Sequence, residues 1–291
     1  MSFNRWQKYE IRSWPFSVFK QYHTHLNRMI WSQIPTISFV EKEIALAKGD
    51  VHSILIFDPE DERAIKKDKL IWRTDFREFN NWNRLNAVMS LSSYLEIYLS
   101  TIISNAIESN PGVLHNASQK IDGAVVLKHS DHYTYAFQAN KCVVGEWTKR
   151  IAEFKRIFGA IPPELENNIG ELEKMRILRN NIGHAFGRDI ELSRKKGKRK
   201  IMQSERISLK RLKTLLKIVN EVVVGVDIFM LDNHIGDYEA LYHYHEIKDT
   251  IPSNLTLIQR ANLFKKSIGQ EAAIPRSKPY CQDLIRYYES L

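Results

Sequence analysis

The sequence predicts a mostly α-helical protein. It is expected to form an antiparallel helical bundle, with a small β-hairpin-like insertion and a mixed α/β segment at the N-terminal end. Apolar residues recur at steps of three and four over four long stretches, which is the spacing of one buried helix face. Pro and Gly residues end two of these stretches. The 291 residues, of which 43% are hydrophobic, suffice for the core that such a bundle needs.

Residues 1–75 are predicted to be the mixed segment. They begin with an aromatic-rich stretch, and WSQIPTISFVEKEIALAKG is expected to hold a short helix. VHSILIF, residues 51–57, is β-branched and bounded by charged residues, so a strand is predicted there. We place the end of this segment near residue 75, where the pattern changes.

The longest predicted helix follows Asp75 and ends at Asn110-Pro111-Gly112, a sequence that stops helices. Its apolar residues keep the helical spacing for about seven turns. They are Leu85, Val88, Met89, Leu91, Leu95, Tyr98, Leu99, Ile102, Ile103 and Ile107.

Three further helices complete the predicted bundle. They are expected over 145–160, from Pro163 to His184, and over 208–231. Between the first two long helices, GAVVL and YTYAF are predicted as strands of an insertion at 113–144. Residues 188–209 are expected to form two β-capable stretches around a turn rich in lysine and arginine. The predicted domains are therefore the N-terminal segment 1–75, the bundle 76–231 and a C-terminal helical extension 232–291 that holds two short helices.

The net charge and the cysteine content indicate which partners and which cellular compartment the protein has. The formal net charge of +9 favours polyanions such as RNA. Cys142 and Cys281 lie far apart and fit neither a disulfide framework nor a zinc site, so a reducing cytoplasm is expected. No uninterrupted apolar stretch of about 18 residues and no secretory signal is present, so we expect no membrane partner.

RILRNNIGHAFGRD, residues 176–189, concentrates groups that bind phosphate and transfer protons. Residues four apart share a helix face, so Arg176, Asn180 and His184 are expected to form one polar stripe with Arg179 beside it. A neutral imidazole can accept the proton of a ribose 2′-hydroxyl, and an imidazolium can protonate the leaving 5′-oxygen. A guanidinium can hold the phosphate between them. This set suits RNA cleavage without a metal ion or cofactor, although a solvated helix surface shows the same residue types.

Because one histidine does not easily act as base and acid together, a two-fold dimer that doubles the stripe is expected. Glu96, midway along the longest helix, is a candidate to hold Arg176 or Arg179 in position; exposure on the surface is the alternative. A basic turn just after the stripe is a candidate to bind RNA phosphates, or else a solvated loop tip. Its residues are Arg194, Lys195, Lys196, Lys198, Arg199 and Lys200. The histidine pairs at 23 and 25 and at 243 and 245 diverge on helices, so no metal site is expected.

LRNNIGHAF, with Arg179 and His184 as an R-x4-H pair and Asn180 directly after the arginine, resembles the motif of the HEPN family. The order of a long helix with YLEIYLSTIISNAI, the motif helix, a hairpin-like segment and the helix ISLKRLKTLLKIVNEVV is similar to that of the family's bundle, over about residues 80–231. The resemblance implies a bundle of HEPN type and a homodimeric, metal-independent endoribonuclease. It also implies that Arg179 and His184 are catalytic, with Asn180 in support.

The expected function is therefore cleavage of single-stranded RNA or tRNA loops by attack of the 2′-hydroxyl. The family resemblance implies a role in antiviral defence or a toxin–antitoxin system, with an antitoxin or another defence protein as partner. Two alternatives remain at this point. One is a helical module that binds RNA or protein without cutting, and the other is a scaffold subunit of a defence complex.

Overall fold

A computed structural model describes residues 3–130, 134–185, 195, 205–272 and 274–291. Over these residues the chain is all-α, with 12 α-helices and no strand. The helices are α1 (Trp14–Leu46), α2 (Val51–Ile54), α3 (Lys69–Ser109), α4 (Gly123–His129), α5 (Ala136–Lys141), α6 (Trp147–Phe158), α7 (Pro163–Glu166), α8 (Ile169–Ala185), α9 (Leu209–Met230), α10 (Tyr238–Ile247), α11 (Leu257–Glu271) and α12 (Lys278–Ser290). The chain divides into two compact units: unit 1 comprises Met1–Lys20, Tyr94–Glu173 and Ile218–Leu291, and unit 2 comprises Gln21–Ser93 and Lys174–Lys217.

Unit 1 contains the C-terminal half of α3 and most of the predicted fourth helix, α9. Apolar side chains of both helices are fully buried, including Leu95 and Ile102 of α3 and Val222 of α9. A second apolar cluster joins α10, α11 and α12, with Phe264 and Leu284 completely buried.

Unit 2 is built on the N-terminal half of α3. Its buried side chains include Leu26 of α1, Leu85 of α3 and Met175 of α8. The Asn81 side chain also fixes the segment before α9, because its amide donates to the Glu205 carbonyl at 2.9 Å and accepts from the Ile207 amide at 3.0 Å. Both polar atoms of a buried amide are therefore satisfied.

The structure confirms most of the predicted bundle helices. The longest ends at Ser109, directly before the predicted stop, although it begins at Lys69 rather than after Asp75. The helix predicted over 145–160 is α6, which Gly159 ends in the left-handed conformation with φ of 78°. The helix predicted from Pro163 to His184 is two helices, α7 and α8, separated by two residues.

The predicted mixed α/β segment at the N-terminal end is wrong. Residues 14–46 form α1, a single helix of 33 residues that continues through Pro35. Residues 51–54 of the predicted strand form the one-turn helix α2, whose first turn is capped by Asp50 accepting from the Ser53 amide at 3.1 Å. The capping bond satisfies a helix N–H that a lone strand would leave unpaired.

The predicted strands of the 113–144 insertion are also wrong. GAVVL begins α4, which Asp122 caps by accepting from the Ala124 amide at 2.9 Å. In YTYAF, residue 136 begins α5. The hairpin-like segment predicted over 188–209 lies outside the described residues except at positions 195 and 205–209.

α3 is the one helix of the described residues that is long and apolar enough to cross a membrane by length and composition. Half of its most apolar 18-residue stretch is buried inside the protein.

Buried charges hold the N-terminal segment, residues 3–13, in unit 1. The Arg5 guanidinium donates to Asp122 at 2.9 Å, to the Ile235 carbonyl at 3.2 Å and to the Ser109 carbonyl. The Arg276 guanidinium, which is 3% exposed, forms two further ion pairs in unit 1. Its partners are Glu10 at 3.3 Å and Asp237 at 3.5 Å.

Candidate functional site

The polar stripe lies on α8, which runs without a break from Ile169 to Ala185. The helix therefore passes through Gly183. This continuity is required for Arg176, Asn180 and His184 to lie on one helix face. Space is available at that glycine, since an added Cβ would meet only the Met89 side chain at 4.0 Å. Arg176, Asn180 and His184 accordingly stand on successive turns of one helix.

Arg179 and Asn180 contact each other directly. Nη1 of Arg179 donates to Oδ1 of Asn180 at 3.2 Å, and both side chains are half-buried. The bond limits the rotamers of the guanidinium and leaves the amide NH₂ of Asn180 as a donor. Arg176 is half-buried as well, whereas His184 is exposed and reachable by a ligand from solvent.

Arg179 borders both the polar stripe and the apolar face of α8. It follows buried Leu172 by seven residues and buried Met175 by four, so it shares their face of the helix. His184 is five residues further on, about 140° around the axis at 3.6 residues per turn. The helix alone therefore does not bring the two groups together.

Glu96 has an arginine partner, Arg150 of α6. The Arg150 guanidinium donates to the Glu96 carboxylate at 3.4 Å, and both residues belong to unit 1. Arg150 is 4% exposed, so the ion pair offsets the cost of burying its charge. This pair was not predicted from the sequence, and the role of Glu96 toward Arg176 and Arg179 stays a prediction.

Of the six residues of the basic turn, the structure describes Lys195, which is exposed. The other five, Arg194, Lys196, Lys198, Arg199 and Lys200, lie outside the described residues. An exposed lysine that follows the stripe in sequence is compatible with phosphate binding and equally with a solvated surface.

The histidine pairs make hydrogen bonds within the protein. His23 pairs with the Leu216 carbonyl at 3.0 Å, His243 with the Ser267 hydroxyl at 2.8 Å and His245 with the Tyr288 hydroxyl at 2.6 Å. In the part of the chain that the structure describes, no group of three or more His, Cys, Asp or Glu side chains is arranged to hold a metal ion.

Unit 1 contains a cavity of about 580 Å³ that the sequence did not lead us to expect. Tyr238, Tyr242 and His245 of α10 line it, together with Glu108 at the end of α3. A signal was present, because positions i, i+4 and i+7 of a helix share one face. The sequence YEALYHYHEI therefore places two tyrosines and a histidine side by side.

Comparison of the chain with protein families, with curated proteins and with solved structures finds no match. The function proposed below consequently depends on the residues of α8 and on the resemblance of their motif.

Proposed function

We propose that the protein is a metal-independent endoribonuclease of HEPN type that cuts single-stranded RNA or tRNA loops. The observation that carries the proposal is the arrangement on α8, which is an uninterrupted helix. The Arg179 guanidinium is hydrogen-bonded to the Asn180 side chain, and the His184 imidazole, five residues further on, is exposed to solvent. Unpaired RNA is favoured as substrate because in-line attack needs a flexible backbone.

The chemistry requires one proton acceptor and one proton donor. The base takes the proton of the 2′-hydroxyl, whose oxygen attacks the adjacent phosphorus, and the acid protonates the 5′-oxygen as its bond to phosphorus breaks. The products are a 2′,3′-cyclic phosphate and a 5′-hydroxyl. Arg179 stabilises the negative charge that grows on the phosphate oxygens, and Asn180 and Arg176 orient the guanidinium and the substrate.

The directions of the Arg179 and His184 side chains around the axis of α8 suggest that a second subunit completes the site. Since one helix directs these side chains about 140° apart, a two-fold axis beside the exposed end of α8 is the simplest way to complete the site. Two copies of His184 would then supply the base and the acid. We propose a homodimer with a composite site for this reason.

A second candidate is a helical module that binds RNA or protein without cutting. The observation in its favour is that Arg179 shares the helix face of buried Leu172 and Met175, where an arginine can serve packing alone. A scaffold subunit of a defence complex is a variant of this candidate. The family resemblance, in contrast, favours a toxin or antiviral nuclease with a protein partner.

The experiment is an RNA cleavage assay in the presence of EDTA. We expect wild-type protein to produce cyclic-phosphate ends, and His184→Ala and Arg179→Ala each to lower the cleavage rate by about a hundredfold or more, the usual contribution of a general acid–base or charge-stabilising group. His184 is exposed, so its replacement is expected to leave the thermal midpoint unchanged.

Matched controls come from α1 in the same unit, where His25 and Arg28 are both exposed. His25→Ala and Arg28→Ala are expected to cleave at the wild-type rate. Binding of RNA without cleavage, with an affinity that His184→Ala does not alter, would support the non-catalytic module instead.

A further inference from the structure

The cavity in unit 1 has walls from four parts of the chain. Its lining consists of Glu108, Gly123, Val126, Leu127, Ser130, Thr134, Tyr135, Tyr238, Tyr242 and His245. Tyr135 and Tyr238 are 8% and 3% exposed, so the surrounding protein covers most of both side chains. A volume of about 580 Å³ is within the range of small-molecule sites.

The chemistry of this cavity differs from that of the protein as a whole. The chain carries a net charge of +9, yet the described residues that line the cavity include one carboxylate, Glu108, and neither lysine nor arginine. Three tyrosine rings surround the same space. The faces of aromatic rings carry negative potential and attract cations, and a carboxylate adds a full negative charge.

Two phenols of the cavity, those of Tyr238 and Tyr242, are held in the neutral form. Burial and the nearby Glu246 and Glu108 carboxylates raise the pKa of Tyr242, and burial followed by Glu108 raises the pKa of Tyr238.

These features distinguish among possible cations. A primary ammonium carries three N–H donors that must each find an acceptor on leaving water. A quaternary ammonium has no N–H and is recognised by rings, by a carboxylate at a distance and by apolar contact with its methyl groups. Val126 and Leu127 provide that apolar contact here.

We propose that unit 1 binds an organic cation with a quaternary ammonium group in the cavity formed by Glu108, Tyr135, Tyr238 and Tyr242. The site is independent of α8, and its ligand need not be related to RNA cleavage.

The test is calorimetric titration of the full-length protein with choline. We expect saturable binding that is at least tenfold tighter than that of 3,3-dimethyl-1-butanol, the neutral carbon isostere. Glu108→Gln should weaken choline binding by about tenfold or more. Tyr242→Leu, which removes a ring, should weaken it by about fivefold, whereas Tyr242→Phe, which keeps the ring, should change it by less than about twofold.

Asp249→Asn is the matched control, since Asp249 is an exposed carboxylate just after α10 and does not line the cavity. It changes the net charge as Glu108→Gln does and should leave choline binding intact. The proposal is overturned by the absence of saturable heat with choline, by equal affinity for the neutral isostere, or by spermidine binding more tightly than choline. Circular dichroism of each variant establishes that it is folded.

Discussion

At the scale of single residues, unit 1 buries carboxyl groups whose protonation depends on folding. Glu239 is 7% exposed and accepts hydrogen bonds from the Trp14 amide at 3.1 Å and the Asn105 side chain at 2.8 Å. Burial nevertheless dominates and raises the pKa of Glu239 from 4.5 to about 8. Burial also raises the pKa of Asp237, to about 6. Burial therefore shifts both groups toward the protonated form relative to the unfolded chain.

A folded-state pKa above the unfolded value means that folding takes up a proton between the two values. For Glu239 the resulting stability is complete below pH 4.5 and is lost as the pH rises toward about 8. We expect Glu239→Gln, which keeps an acceptor oxygen, to gain stability relative to wild type as pH increases, by up to roughly 1 kcal/mol per pH unit in this window.

Urea denaturation of both proteins at several pH values measures this difference. Glu166→Gln, at an exposed position of α7, is the matched control variant. A stability difference between wild type and Glu239→Gln that stays constant with pH would contradict the assignment.

The candidate site also shows what sequence can establish at this scale. The i, i+4, i+8 spacing correctly placed Arg176, Asn180 and His184 on successive turns of one helix. The same spacing places Arg179 beside this stripe, at the border of the face that holds Leu172 and Met175. The Arg150–Glu96 pair was beyond reach, since 54 residues separate its members.

At the scale of elements, two segments that residue preferences predicted as strands form helices, and a capping side chain precedes each of them. VHSILIF and GAVVL are β-branched, but strand preference depends on a neighbouring strand with which to pair. Asp50 and Asp122 stand directly before these sequences and cap short helices instead. The long helices were predictable because their apolar spacing repeats over many turns and so outweighs any single residue.

α1 is a long helix that the sequence pattern did not predict, because it contains a proline. Pro35 removes one backbone donor from the middle of the helix and disfavours helical geometry in the residue before it. The helix continues through it because buried side chains on both sides, such as Phe19, Ile30 and Ile44, anchor the flanking turns. Packing of this kind is not visible in a local sequence pattern.

Two glycines give a matched prediction about helix ends and helix interiors. Gly159 ends α6 with φ of 78°, a conformation that strains any residue with a Cβ, although nothing lies within 4 Å of an added Cβ. Gly159→Ala is expected to destabilise the protein by about 1 kcal/mol. Gly269 lies inside α11 with equally open space, so Gly269→Ala is expected to stabilise it by about 0.5–1 kcal/mol.

Thermal denaturation of the two variants measures whether each substitution lowers or raises the stability of the protein. Equal effects of the two substitutions would contradict the backbone assigned to Gly159.

At the scale of the whole molecule, unit 1 is assembled from distant parts of the chain. Arg5 contacts Ile235, 230 residues away, and Gly236 approaches the Arg5 backbone so closely that an added Cβ would lie 2.4 Å from its carbonyl oxygen. Such contacts follow from tertiary packing and cannot be read from local spacing. For this reason the sequence predicted the bundle helices but not the role of residues 3–13.

Removal of the Arg5 charge tests how much this segment contributes to stability. Arg5→Met would leave Asp122 without its buried partner, and we expect a loss of roughly 3 kcal/mol in the free energy of unfolding. Lys8→Met, in the same segment, removes an exposed ion pair with Asp232 and should cost less than about 1 kcal/mol. Denaturant unfolding compares the two, and similar losses would show that Arg5 is not the anchor.

The ion pair between Glu10 and Arg276 has a consequence for biosynthesis. The ribosome must add more than two hundred and fifty residues after Glu10 before its partner exists. Until then the nascent chain exposes an aromatic-rich leading stretch with no place to dock, and pairing over such separations is slow. Completion of unit 1 is therefore a late event, and the unfinished polypeptide is the form most in need of a chaperone.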